Sequence, residues 1–243
     1  EECAAAQELL AWFRKRVPAQ PPQIESKQSR RSYQDRVRDD LRALLGDDEP
    51  ITLAPWFDAP EGKRETDADS EDRSTQRIQR LSLRSEWGVR VPAIWVPGSG
   101  ESPWRAVIAL HPSGKSVALR TPLVRGLQRE GYAVLAPDVR FQGEQALLAA
   151  PDTAAWGRPV AGMALTDVQA CIEWLSGRAD VDPRWLTIAG KGAYGVVALL
   201  AGGMDERVSV TVADCAETTY RDGGEGLPVI PNVLRVADVP QIA

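Results

Sequence analysis

Apolar and polar positions divide the chain into two regimes. Near the start, Leu9, Leu10 and Phe13 fall on one side of a helix predicted over Cys3–Val17, which Pro18, Pro21 and Pro22 end. A second helix is predicted over Ser32–Leu45, with Gly46 suited to its C-terminal cap. Asp47–Thr75 is polar, acidic and irregular, broken by Pro50, Pro55 and Pro60. Residues 1–75 therefore read as an N-terminal helical segment with a linker.

From Gln76 the period changes. Gln76–Arg84 alternates polar and apolar, as a half-buried strand does. Val89–Val96 is a second strand, closed by the turn Pro97-Gly98-Ser99-Gly100. Arg105–Leu110 is a short continuous apolar run, the signature of a strand buried on both faces. Then follow a helix over Ser116–Glu130 ended by Gly131, a strand over Tyr132–Ala136 and a helix over Thr166–Ser176 starting at Thr166 or Asp167. A strand over Trp185–Ala189, a helix over Ala193–Gly202 and a strand over Val208–Ala213 complete the pattern. Apolar strands alternating with amphipathic helices imply parallel pairing through right-handed crossovers. The predicted fold of residues 76–243 is α/β, a doubly wound, mostly parallel sheet with helices on both faces.

Composition narrows the functions open to this fold. The chain has 243 residues, 43% of them hydrophobic, enough for a substantial core. A net charge of −5 gives no electrostatic pull toward nucleic acid or an anionic membrane. The arginines of 14–16 and 30–38 are interleaved with acidic residues and read as solvated helix faces. No apolar run approaches the ~20 residues that span a bilayer. One histidine, His111, and three cysteines, Cys3, Cys171 and Cys215, without CxxC spacing argue against a zinc site. Cys171 and Cys215 read as small buried hydrophobes. The start, Glu1-Glu2-Cys3, reads as that of a processed product or a fragment, and the compartment stays open.

Four local motifs carry the chemistry. His111-Pro112-Ser113-Gly114 ends one strand, and Gly131-Tyr132-Ala133-Val134-Leu135-Ala136-Pro137-Asp138-Val139-Arg140 ends the next. Asp180-Val181-Asp182-Pro183-Arg184 precedes a third strand, and Gly190-Lys191-Gly192-Ala193-Tyr194-Gly195 links that strand to a helix. In this order they resemble the α/β-hydrolase superfamily, within it the acetyl xylan esterase and dipeptidyl-peptidase-like branch. The resemblance covers about Leu81 to Ala243. Ile230–Arg235 and Asp238-Val239-Pro240 resemble the loop after that family's sixth strand.

The resemblance implies an α/β-hydrolase-like fold, here C-terminally incomplete, and hydrolysis of carboxylic esters, with a small ester or a carbohydrate as ligand and no cofactor. It implies serine attack, an acyl-enzyme and backbone N–H stabilisation of the oxyanion. Here the nucleophile position of the G-x-S-x-G elbow is Gly192, which has no side chain, and Tyr194 replaces a small residue. Pro112 replaces a glycine and has no N–H. The oxyanion and cleft residues it implies are His111, Ser113, Gly114, Ala193 and Tyr194. The chain ends before the positions of the family histidine and its usual acid, leaving Asp214 as the candidate relocated acid. Such a protein is either a hydrolase whose chemistry is lost or moved, or a non-catalytic binding or scaffold module.

Rival readings rest on the same residues. Gly190-x-Gly192-x-x-Gly195 also matches a dinucleotide fingerprint, with Asp214 as the ribose-binding acid, which implies a nicotinamide-dependent oxidoreductase. Against it, that reading leaves His111–Gly114 and Pro137–Arg140 unexplained. His111 as a general base stands against His111 as a loop residue that bonds backbone, and Ser113 is a candidate displaced nucleophile. Lys191 reads as solvated, and Asp138 and Arg140 as a structural pair. The scattered tryptophans Trp87, Trp95, Trp104, Trp156, Trp174 and Trp185 read as packing groups rather than a sugar platform. A sheet ending at the last strand exposes an edge. A second copy of the chain or a covering C-terminal segment is the partner such an edge calls for.

Overall fold

The computed structural model describes residues 24–46, 78–86, 89–146, 158–215, 217–221 and 226–242. The predicted helix over Cys3–Val17, the linker, Trp87 and Trp156 lie outside them. Helix α1 spans Lys27–Leu45 and begins five residues before its predicted start. Ser26 is the reason. Its side chain accepts from the Ser29 N–H while Ser29 Oγ accepts from the Ser26 N–H, a reciprocal cap that satisfies donors orphaned at a helix start. Gly46 closes the helix in the left-handed conformation at φ 70°, as predicted.

Six strands follow: β1 Gln79–Glu86, β2 Val89–Val96, β3 Trp104–Leu110, β4 Ala133–Pro137, β5 Val181–Lys191 and β6 Val208–Asp214. They form one sheet in the order β1-β2-β4-β3-β5-β6. β1 pairs antiparallel with β2, and β2 antiparallel with β4. The remaining pairings, β3 with β4, β3 with β5 and β5 with β6, are parallel.

Helices α2 (Lys115–Ala118) and α3 (Pro122–Arg129) lie in the first crossover, α4 (Val160–Ser176) in the second and α5 (Ala193–Met204) in the third. Ala118 and Val124 pack with Val107, Ala109, Val134, Ala136 and Ala189 in a smaller core cluster. The main core gathers α1, α4 and α5 over Trp95, Ile108, Leu135 and Ile188. The sheet therefore has helices on both faces. Val37, Leu41 and Leu45 of α1 belong to this main core, so the N-terminal helix is packed into the α/β unit. Leu227, Ile230, Val233, Val239 and Ile242 join it from the C-terminal stretch, where Val239–Ile242 forms the short helix α6. Asp238 pins that stretch, accepting from Thr219 Oγ1 at 2.6 Å and from the Tyr220 N–H at 2.8 Å.

Three larger departures from the sequence reading follow that at α1. The predicted helix over Ser116–Glu130 is two helices, because Thr121 caps α3 by accepting from the Val124 N–H and Pro122 stands in its first turn, where it needs no N–H. α4 starts at Val160 rather than at Thr166 or Asp167, both of which are buried inside it. β5 starts at Val181, so Val181–Arg184 belongs to the strand, and Val181 pairs with Trp104. Arg178 stacks on Trp95 and Trp174, 4.8 and 4.5 Å from the two rings, so these tryptophans pack as expected.

α1 meets α4 at Gly162, where a β-carbon would overlap the Leu45 carbonyl. Gly162→Ala should force the helices apart and cost about 1–3 kcal/mol in chemical denaturation. Gly126→Ala in α3, where no other described residue comes within 4 Å of a β-carbon, should instead stabilise by ~0.5–1 kcal/mol. Equal effects would contradict the packing argument.

Candidate functional site

In the parallel part of the sheet the chain leaves β3 toward β4 on one side and later returns to β5 on the other. The crevice where strand order reverses, at the carboxyl ends of β3 and β5, is where open α/β sheets hold ligands. Two predicted motifs meet there: His111–Gly114 after β3, and Gly190–Gly195 after β5. A β-carbon on Gly192 would lie 3.5 Å from Pro112 Cγ, which measures how close the loops come.

The β5–α5 turn is tight. Gly192 sits at φ 58° and ψ −133°, a backbone region that strains any residue with a side chain. A β-carbon on Gly190 would overlap the Tyr194 carbonyl, and one on Gly195 the Cys215 thiol. The Gly192 N–H donates to the Asp214 carbonyl at 2.8 Å, and the Gly195 N–H to the Gly192 carbonyl at 2.9 Å. α5 starts at Ala193, and the N–H groups of a first helical turn have no acceptor within the helix. Among the described residues, leaving out its two chain neighbours, Pro112 alone has an atom within 4 Å of a Gly192 β-carbon.

His111 Nδ1 accepts from the Ser113 N–H at 3.0 Å. Burial, and then the Lys191 ammonium, hold the imidazole below its ordinary pKa. The neutral ring with Nδ1 accepting carries its proton on Nε2, so the second nitrogen is a donor. Lys191 is not merely solvated: its Nζ lies 2.7 Å from Asp214 Oδ2, although both side chains are more than half exposed. Asp214 thus holds the elbow through its backbone and Lys191 through its carboxylate. Cys215 is half-buried rather than buried; its Sγ lies 3.6 Å from the Gly192 carbonyl, and burial raises its pKa.

Tyr194 packs its ring against the main core. Burial, with the nearby Asp167 charge, pushes its hydroxyl up to about 12. Gly114, at φ 83°, precedes α2, and a β-carbon there would crowd Gly143 and the Asp138 carboxylate.

Asp138 and Arg140 do not pair with each other, contrary to the sequence reading. Asp138, 1% exposed, accepts from the Lys115 N–H at 2.6 Å and the Glu144 N–H at 2.9 Å, and forms an ion pair with Lys115 Nζ. It ties the loop after β4 to the loop after β3. Arg140 turns the other way, to Asp167, Glu86 and the Met163 carbonyl. Burial raises the Asp167 carboxyl, opposed by Arg140. Gln145 donates to the carbonyls of Arg90 and Asp138. Phe141 adopts φ 67°, a left-handed conformation uncommon for a residue with a side chain. The pairs Asp138–Lys115, Arg140–Asp167, Arg140–Glu86 and Gln145–Arg90 join residues 23 to 55 positions apart, and no local spacing announces them.

No protein-family profile and no curated protein matches the sequence. Solved structures do match. Over 98% of this chain and 71% of the other, a Bacteroides fragilis protein provisionally described as an acetyl xylan esterase superposes with a TM-score of 0.71 at 14% identity. A methylesterase superposes over 86% of this chain and 45% of its own length, with a TM-score of 0.57 at 15% identity. At such identities the likeness speaks for the fold. The fold is that of the α/β-hydrolases, with an acetyl xylan esterase-like protein among its structural neighbours.

Two measurements check this geometry. As the lone histidine, His111 gives a single Hε1 resonance, which should titrate below 6.5. Lys191→Met should raise the midpoint only part of the way back, since burial is the larger cause. The folded pKa is depressed, so the associated stability should be present above pH 6.5 and fall as pH drops through the folded midpoint. Asp138→Asn strands a buried ammonium and should cost about 3 kcal/mol in denaturant unfolding, with Glu144 holding the loss to that level. Lys115→Met should cost less, because the Asp138 carboxylate keeps its two backbone donors.

Proposed function

We propose that this protein derives from carboxylic ester hydrolases of the acetyl xylan esterase type and retains their cleft without their serine chemistry. The observation that carries the reading is Gly192 at the strained bend between β5 and α5. An acyl transfer enzyme needs a nucleophile, a base within hydrogen-bond reach and donors for the oxyanion. Ala193 N–H and His111 Nε2–H are the donors, with Ser113 and Gly114 shaping the loop opposite. Gly192 supplies no nucleophile. Asp214 is engaged with Lys191, so it acts as a clamp on the turn rather than as the acid of a triad. Ser113 is a poor substitute nucleophile, because its own N–H holds His111 in the tautomer that donates from Nε2. A small ester or an acetylated carbohydrate is the ligand class that fits these donors.

The chain should leave p-nitrophenyl acetate at its buffer rate. Turnover abolished by Ser113→Ala or His111→Ala would move the chemistry to the loop after β3 and overturn the reading. Gly192→Ser should fold at a cost of about 1–3 kcal/mol, since the space is open but the backbone at φ 58° is strained for a side chain, and should gain no turnover while its hydroxyl lacks a base. A gain would return the protein to the catalysts. Retained binding is read separately: an acetylated xylo-oligosaccharide should shift the His111 resonance, and an unmoved resonance at saturating ligand would leave a fold without this site.

A further inference from the structure

His111, Pro112, Ser113 and Gly114 form a tight turn after β3. The Gly114 N–H donates to the His111 carbonyl at 2.9 Å, which closes the turn through the backbone. Pro112 takes the second position, where its fixed φ suits a turn. A side chain makes the second bond: His111 Nδ1 accepts from the Ser113 N–H at 3.0 Å. At the first position of a turn that bond is ordinarily made by Asp or Asn, whose oxygen reaches the backbone two residues on. An amide oxygen accepts at any pH, whereas an imidazole nitrogen accepts only while it carries no proton. In the imidazolium, Nδ1–H and the Ser113 N–H would face each other as two donors. The two ends of the turn are held differently. Gly114 is fixed, because the Lys115 N–H bonds Asp138 at 2.6 Å and Gly143 crowds it. Pro112 and Ser113 are exposed, and Pro112 is the residue set against the Gly192 bend. The charges around the ring oppose its protonated form. Lys191, at the end of β5, acts on it directly, while Asp214, at the end of β6, is turned to Lys191 at 2.7 Å. On the ring's own side, Lys115 is engaged by Asp138 and Glu144.

We propose that His111 is a proton-operated latch on the crevice, closed while the ring is neutral and released when Nδ1 takes a proton. Neutral, the ring holds the Ser113 N–H and keeps the Pro112–Ser113 tip set against the Gly192 bend. On taking a proton from solvent, Nδ1 changes from acceptor to donor and the bond to Ser113 breaks. The tip then turns away while the base of the loop stays on Asp138. The backbone bond from Gly114 to the His111 carbonyl survives, so the change is confined to the tip. Burial and Lys191 hold the ring below its ordinary pKa, so the latch is closed at neutral pH and opens as pH falls through the folded midpoint. A ligand seated between the loop and the elbow needs the closed tip, and its affinity falls with the same midpoint. This effect on ligand rests on the binding site proposed for the crevice, whereas the latch is a property of the turn alone.

Amide hydrogen exchange of the 243-residue chain, followed together with the His111 Hε1 resonance as pH is lowered, tests the latch. The Ser113 protection factor should fall about tenfold, the equivalent of one hydrogen bond, with the midpoint of the ring. The Gly114 amide, bonded to a carbonyl, should keep its protection. Lys191→Met should carry the Ser113 and Hε1 midpoints upward together. His111→Asn supplies an oxygen that does not titrate and should hold the Ser113 amide protected across the same range. A Ser113 amide indifferent to the charge on His111 overturns the proposal. So does a pH-dependent loss that persists in His111→Asn, or a loss shared by Gly114, which means that the whole loop melts. The ligand arm is read separately. An acetylated xylo-oligosaccharide should lower the His111 midpoint and bind more weakly as the ring charges; affinity unchanged through that midpoint overturns the latch as a regulator. Absence of binding at every pH overturns the reading of the site instead, and the Ser113 amide still decides the latch.

Discussion

The close approach of backbone to backbone between β5 and α5 governs the site. The Tyr194 carbonyl lies where a Gly190 side chain would start, and the Cys215 thiol where a Gly195 side chain would start. Helix and strand can meet at this distance only because those positions lack β-carbons. The result is a bend at Gly192 held by the Asp214 carbonyl and pointed at the loop after β3. The bend is thus made by a residue without a side chain.

The bend works as half of a crevice because the sheet reverses its order between β3 and β5. The other half, His111–Gly114, is held by buried electrostatics. Asp138 sits under both the β3 and β4 loops and meets the Lys115 N–H, the Lys115 ammonium and the Glu144 N–H. A buried carboxylate so fully bonded is costly to disturb, and it couples the placement of one loop to that of the other. Arg140 joins Glu86, at the end of β1, to Asp167 within α4. The loops after β3 and β4 are therefore held by charge pairs beneath them, while Lys191 and Asp214 pair at the surface.

Much of the fold was legible because strand burial leaves a local record. The apolar run Arg105–Leu110 and the alternation at the start of the α/β region fell where strands are found, and the order of four short motifs indicated the connectivity. Legibility failed where the deciding group was polar and close by. Ser26 and Ser29 begin α1 ahead of its apolar stripe. Thr121-Pro122 divides one apolar pattern into two helices, a break written in the sequence and readable from helix-start chemistry alone. Val160 begins α4 without a side-chain cap, so nothing local marks it.

The sequence by itself determined the strand and helix alternation, the glycines of the turn after β5 and the absence of a hydroxyl at position 192. These are properties of single residues and of short-range periodicity. The tertiary structure alone decided the partners: Asp138 with Lys115 instead of Arg140, Lys191 with Asp214, and the tautomer of His111. Each depends on groups that the fold brings together. A polar side chain in sequence shows only that it can bond. Packing sets which acceptor lies within 3 Å once water is excluded.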